Sequence, residues 1–235
     1  MMNKTPIISA SGVKKVFRSA ATEVTALSDA SLELYAGSAI ALKGRSGSGK
    51  STLLNLMGGL DIVTEGTILI DGKDASKMTP DEKAHLRRHT IGFVFQSFSL
   101  LPLFTAYENV ELPLLIAGVP AGKREARTME CLGMVGVAHR AKHRAFELSG
   151  GEQQRLSIAR AIVNNPRVIL ADEPTAELDS VNSLAVFSLL KDLAVSQGKA
   201  VLIATHDELV HELGFEVHEI VDGLLVSEVS KTKLR

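Results

Sequence analysis

The sequence predicts an α/β fold with a parallel sheet covered by helices on both faces. Three observations predict it. The apolar runs Val168-Ile169-Leu170-Ala171 and Ala200-Val201-Leu202-Ile203-Ala204 do not alternate with polar residues, as expected of strands buried on both faces. Short β-rich runs take turns with longer helical patterns along the chain. No Pro/Ser/Gly-rich linker or internal repeat interrupts the 235 residues, a length that suits one large domain or two small ones.

Taken in order, β-rich runs fall at Ile7–Val13, Ser31–Tyr35, Ala39–Leu42, Gly66–Ile70 and Ile91–Phe95, then at Val168–Ala171, Ala200–Ala204, Glu216–Val221 and Leu224–Val229. Helical periodicity marks Lys50–Met57, Pro80–Arg88, Ala106–Ala117, Lys123–Val135, Glu152–Asn164, Val181–Ser196 and Asp207–Leu213. The first third alternates and carries turn signals such as Asp71-Gly72, so an antiparallel β portion is expected there. The stretch from about Ser97 to Asn165 is nearly all helical. The expectation is one domain over 1–235, with an α/β core from 1–96 and 166–235 and an inserted helical lobe at 97–165.

Composition narrows the function. Apolar residues make up 45%, enough for a sizeable core. Lys+Arg number 26 against Asp+Glu 27, a net charge of −1, which offers no basic footprint for nucleic acid or an anionic membrane. The single cysteine, Cys131, excludes an internal disulfide and reads as a small buried apolar residue. Mean hydropathy is +0.15, yet no run reaches the roughly 18–20 apolar residues of a membrane span. Met1–Ala10 contains Lys4 and Pro6 and lacks the apolar core of a signal peptide, so a cytosolic chain is expected.

Gly44-Arg45-Ser46-Gly47-Ser48-Gly49-Lys50-Ser51 lies between the strand Ala39–Leu42 and a helix that continues through Thr52. This is GxxxxGK[ST] in the context the motif requires. Glycines let successive N–H groups curl around phosphate oxygens, and the helix N-terminus adds its positive end. Lys50 brings a charge to the β- and γ-phosphates, and the Ser51 hydroxyl is placed for Mg²⁺. The strand Val168–Ala171 ends in Asp172-Glu173. These residues either close a strand at the surface or, beside the phosphate loop, hold the hydration shell of Mg²⁺ (Asp172) and polarise an attacking water (Glu173). His206, after the strand Ala200–Ala204, is placed to hydrogen-bond a γ-phosphate.

Leu148-Ser149-Gly150-Gly151-Glu152-Gln153-Gln154-Arg155 opens another helix. Ser149 with Glu152 fits a capping box, and the same helix N-terminus can meet an anion. In its order after the phosphate loop and before Asp172-Glu173, this segment resembles the signature of ATP-binding cassette (ABC) ATPases. The resemblance covers about Ile7 to Val229. It implies a phosphate-loop ATPase fold with a RecA-like core, an antiparallel β subdomain and a helical subdomain, and it implies ATP and Mg²⁺ as ligands. By similarity, Phe17 stacks on adenine, where Tyr is common, and Val24 flanks the base. Gln96 is the Q-loop residue, contacting Mg²⁺ and water. Asp179 is the D-loop aspartate, Glu173 the base and His206 the switch histidine. Arg45 stands where relatives often have Pro. The family implies a head-to-tail dimer, with each ATP between the phosphate loop of one copy and Ser149–Gly151 of the other.

The blocks Ile91–Pro102, Leu54–Asp61 and Glu108–Leu114 resemble the branch of lipoprotein-release, macrolide-export and haem-export ATPases. That resemblance implies a permease partner and a place on the cytoplasmic face of the inner membrane. The alternative is a non-transport ATPase that drives a membrane-bound mechanical partner of the cell-division type. Phe98, Leu100, Leu101, Leu103 and Phe104 form an apolar stretch that either receives a permease helix or packs the helical lobe itself.

Overall fold

A computed structural model describes residues 5–19 and 22–227. Its ten strands form one sheet in the order β5-β4-β1-β2-β10-β9-β3-β8-β7-β6. The parallel part holds β3 (Ala39–Lys43), β8 (Ala200–Ala204), β7 (Val168–Asp172) and β6 (Ile91–Val94), with β9 (Glu216–Val221) parallel to β3 on its other side. The antiparallel part holds β1 (Ile8–Arg18), β2 (Glu23–Leu34), β4 (Glu65–Ile70) and β5 (Lys73–Asp74). β10 (Leu224–Ser227) joins the two parts, antiparallel to β9 and parallel to β2.

The non-alternating runs are explained by a core on each side of the sheet. Ala41, Ile169, Ala171, Val201 and Ile203 face one side, with residues of α5 (Gly150–Ile162) and α6 (Ser180–Val195). Ile40, Leu42, Val168, Leu170 and Leu202 face the other, against Leu53, Leu54 and Met57 of α1 (Lys50–Met57). Successive side chains alternate faces, but both faces are covered, so every position is apolar. Leu53 and Leu54 are fully buried, each worth about 1.5–3 kcal/mol. Leu54→Ala would cost about 2–5 kcal/mol through the cavity it leaves.

Helix starts follow local chemistry. α2 (Pro80–His89) opens with a Thr79/Glu82 capping box and Pro80, and α3 (Ala106–Ile116) with a Thr105/Glu108 box. α4 (Ala121–Met134) and α5 pack with α3 as the helical segment between β6 and β7. Cys131 is buried in that core, where burial raises its pKa to about 11, so the thiol is inert.

Three expectations needed correction. β1 runs on to Arg18, past Val13, and β2 starts at Glu23, well before Ser31, because the two strands pair through this part of their length. A further short strand, Lys73–Asp74, which was not expected from the sequence, is β4's edge partner. The last helix, α7, is four residues, Leu209–Glu212, because Asp207 accepts from the Leu209 N–H in a local turn and holds the preceding residues out of the helix. The expected end of the final strand, at Val229, lies outside the described residues.

Candidate functional site

The phosphate loop lies between β3 and α1. Gly49 starts α1 at φ 109 and no side chain caps the helix, so the N–H groups of its first turn stay open. A Cβ on Gly44 (φ 151) would lie 2.4 Å from the Ile220 carbonyl oxygen, and one on Gly49 would lie 2.4 Å from that of Ala26. Backbone packed behind the loop therefore requires glycine at both positions. Ser46 and Gly47 are exposed at its mouth, and Thr52 is half-buried in the first turn of α1. Lys50 is buried; its Nζ donates to the carbonyl oxygens of Gly44 at 2.9 Å and Arg45 at 3.2 Å. The Ser48 hydroxyl is buried with no hydrogen-bond partner among the described residues. An open helix N-terminus, an ammonium curled over the loop and an orphaned hydroxyl together fit a polyphosphate.

The carboxylates meet this loop from β7. Ser51 Oγ donates to Asp172 Oδ1 at 2.8 Å. Burial raises the Asp172 pKa, opposed by that hydrogen bond. Glu173 takes a left-handed backbone at φ 43, and its N–H donates to the Ala204 carbonyl, tying the ends of β7 and β8 together. Its side chain spans two groups: Oε1 is 3.5 Å from Lys50 Nζ, and Oε2 is 3.0 Å from His206 Nδ1. His206 is largely exposed while Glu173 is mostly buried. Gln96 lies exposed just after β6, the strand beside β7. The Ser51–Asp172 pair supplies hard oxygen donors. Among the described residues no cluster of three His, Cys, Asp or Glu could hold a metal alone. The donor set thus suits a cation that arrives already ligated by phosphate and water.

A second anion-ready helix end stands at α5. Ser149 and Glu152 form the reciprocal capping box: the Ser149 N–H donates to Glu152 Oε2 at 2.9 Å, and the Glu152 N–H donates to Ser149 Oγ at 3.3 Å. Arg140 Nε donates to Glu152 Oε1 at 2.9 Å. The Ser149 backbone hydrogen bond, helped by Arg140 and working against partial burial, lowers the Glu152 pKa to about 2. Capping and anion access are therefore compatible here, since Ser149 is exposed and Gly150 half-buried. Gly151 is required by Asn182, whose Oδ1 would lie 2.1 Å from a Cβ. Asp179 caps α6, accepting from the Asn182 N–H at 2.8 Å and Nδ2 at 2.7 Å. Arg155 donates to Asn182 Oδ1 at 3.2 Å, so Asn182 links Asp179 to the signature-like helix. Among the described residues, no hydrogen bond or ion pair joins Ser149–Glu152 to the phosphate loop.

Phe17 and Val24 face each other across the β1–β2 ladder, and both are exposed. Lys15 Nζ lies 4.9 Å from the Phe17 ring centroid. The apolar stretch after Gln96 divides: Leu100 packs on the core, while Leu101, Leu103 and Phe104 stay exposed. Phe146 joins that exposed face through its N–H to the Pro102 carbonyl. The Asn109 side chain pins the segment through Leu101 and Phe104 backbone groups.

Sequence reading missed Asn182 and Arg140. Asn182 had a signal, lying three residues beyond the N-cap Asp179. Arg140 reaches Glu152 through the fold and had none. A cleft of about 760 Å³ lies elsewhere, between α3, α4 and residues 138–143, and its lining includes Tyr107, Met129 and His139. It lacks the phosphate-loop chemistry, so the candidate site is assigned by donor groups and not by volume.

Known proteins share this arrangement. A family model described as "ABC transporter" matches residues 27–176. The chain is 46% identical over 225 residues to the pyoverdine export ATP-binding/permease protein PvdT of Pseudomonas putida, covering 95% of this chain and 34% of that protein. It is 45% identical over 226 residues to the macrolide export ATP-binding/permease protein MacB of Brucella abortus, covering 96% of this chain and 35% of that protein. It thus spans about a third of the length of these curated relatives. The dimeric structure of MJ0796, a bacterial ABC transporter cassette, superposes with a TM-score of 0.86 at 40% identity, covering 95% of this chain and 99% of that one. A second structure of that cassette is a dimeric post-hydrolysis state bound to ADP and Pi, also at a TM-score of 0.86. With a phosphate loop, a strand-end carboxylate pair and a signature-like helix on one cassette fold, this chain belongs to the ABC transporter family.

Proposed function

We propose that this chain is the ATP-hydrolysing cassette of a membrane exporter and works as a head-to-tail dimer. The observation that carries the reading is the position of Glu173, a mostly buried carboxylate beside Lys50 of the phosphate loop and hydrogen-bonded to His206. ATP and Mg²⁺ are the ligands of this reading.

Phosphate oxygens would be received by the backbone of Gly44, Ser46, Gly47, Ser48, Gly49, Lys50, Ser51 and Thr52, by the Lys50 ammonium and by the open end of α1. Phe17 and Val24 offer an exposed apolar face to the base. Ser51, Gln96 and Asp172 would hold Mg²⁺, Asp172 through water; the ion supplies charge neutralisation on the phosphates. Glu173 is the base that takes a proton from water, and His206 fixes its carboxylate and senses the γ-phosphate. Ser149, Gly150, Gly151 and Glu152 form a helix end, exposed at Ser149, that no hydrogen bond or ion pair ties to the phosphate loop of the same chain among the described residues, which supports their use by the nucleotide of a second copy. Asp179 belongs to the same face through Asn182. Binding ATP more tightly than the products of hydrolysis across that face turns hydrolysis into opening and closing.

The exposed face of Leu101, Leu103, Phe104 and Phe146 suits a short permease helix. Both relatives named above are called ATP-binding/permease proteins, and among the described residues no helix is long and apolar enough to cross a membrane. A cassette attached through a permease would lie at the cytoplasmic face of the inner membrane. The test is ATP turnover by the purified protein: phosphate release abolished by Glu173→Gln supports the reading, and wild-type turnover in that variant rejects it.

A further inference from the structure

Phe98 and Ser99 occupy successive left-handed conformations, at φ 57 and φ 52, although neither is glycine. Side chains disfavour this region, so two in sequence need something to hold them. The holding group is Arg160, near the end of α5. Its guanidinium donates to the Phe98 carbonyl oxygen at 3.0 Å and to that of Ser99. No carboxylate pairs with Arg160 among the described residues, and burial lowers its pKa. A desolvated cation is costly when its only partners are neutral carbonyls, so here the cost is set against a fixed loop shape.

Two features give the contact a direction. Gln96 is two residues before Phe98, and the Phe98 N–H donates to the Phe95 carbonyl, so the turn that carries Gln96 is the turn that Arg160 grips. Arg160 also shares a helix with the Ser149–Gly151 end, ten residues from Gly150, or about 15 Å along a rigid α-helix. We infer that Arg160 is a positioning residue for Gln96, holding the Phe98–Ser99 turn in its left-handed form and passing movements of α5 to the reaction centre. The inference rests on the role of Gln96 proposed above. When the far end of α5 engages a nucleotide, a shift of this helix moves both carbonyls together, because a planar fork constrains them as a pair.

The experiment is steady-state ATP turnover by the purified protein in a double-mutant cycle. Arg160→Lys keeps a cation but loses the fork. Ser99→Pro, at an exposed position, forbids a positive φ without touching the α5 core. Each is expected to lower kcat about tenfold with KM within about twofold, the scale of a misplaced catalytic group. In a Gln96→Ala background neither should lower kcat further, because the path runs through Gln96. Ser99→Gly should restore part of the Arg160→Lys loss, because glycine holds the left-handed form without strain. Equal fold losses with and without Gln96 would mean a structural role only and overturn the inference. If Gln96→Ala alone leaves kcat unchanged, the role of Gln96 falls, and the inference with it. Should Arg160→Lys fail to fold, Ser99→Pro decides alone.

Discussion

His206 Nδ1 lies 3.0 Å from Glu173 Oε2, which joins the residues that follow two adjacent parallel strands. The other carboxylate oxygen faces Lys50, so Glu173 is held between an imidazole and the ammonium of the phosphate loop. A carboxylate fixed on both sides has little freedom to lose when substrate arrives, which suits the proposed role of base.

Glu173→Gln keeps the size of the side chain but removes its basicity. Turnover should fall about 10²–10⁴-fold, the range for loss of a general base. ATP should then hold a dimer that persists in size-exclusion chromatography. Full turnover by a monomeric variant would remove Glu173 from the mechanism.

Lys50→Ala removes the ammonium folded over the loop. Titration with a fluorescent ATP analogue should show affinity reduced at least tenfold, about 1.4 kcal/mol or more. Unchanged affinity would place the nucleotide elsewhere. Thermal melting in parallel separates this from unfolding, since Lys50 is buried.

Ser149→Arg should leave ATP binding by the monomer intact and block ATP-induced dimerisation, measured by light scattering. Ser149→Ala serves as the control, because it removes only the cap, worth about 1 kcal/mol. Loss of monomer binding in Ser149→Arg would reduce Ser149 to a cap.

Glu152 sets an acid limit. Its folded pKa of about 2 lies below the ordinary 4.5, because the Ser149 N–H and Arg140 favour the carboxylate. The depressed value means that its stabilisation is fully present above pH about 4.5 and disappears as pH falls towards 2. Arg140→Ala weakens that preference, so the variant should lose less stability than the wild type over that interval in pH-dependent melting. Parallel curves would show that Arg140 contributes nothing to it.

Much of this was legible in the chain because the relevant signals are local. The phosphate loop declares itself through its spaced glycines ahead of Lys50 and Ser51, and Ser149 with Glu152, three residues on, spells a cap. Buried strands show as unbroken apolar runs because both faces are covered. What stayed hidden depends on distant partners. The first half of β2 is mostly exposed, with Leu27 its one buried residue, and its pairing with β1 shows only in the fold. Arg160 looks like any helical arginine until the chain brings Phe98 and Ser99 to it. The apolar stretch after Gln96 could not be divided into a partly buried Leu100 and an exposed Leu103 until Asn109 was seen pinning the loop.

The β9–β10 turn reaches back to the phosphate loop: the Gly223 N–H donates to the Ser48 carbonyl, and the Ile220 carbonyl closes the space at Gly44. Most of the described chain after the loop therefore separates it from this part of its back wall. During synthesis, residues 44–51 leave the ribosome long before residues 220–223. The loop's shape is therefore expected to be fixed only once the β9–β10 hairpin has docked, and such long-range closure slows folding.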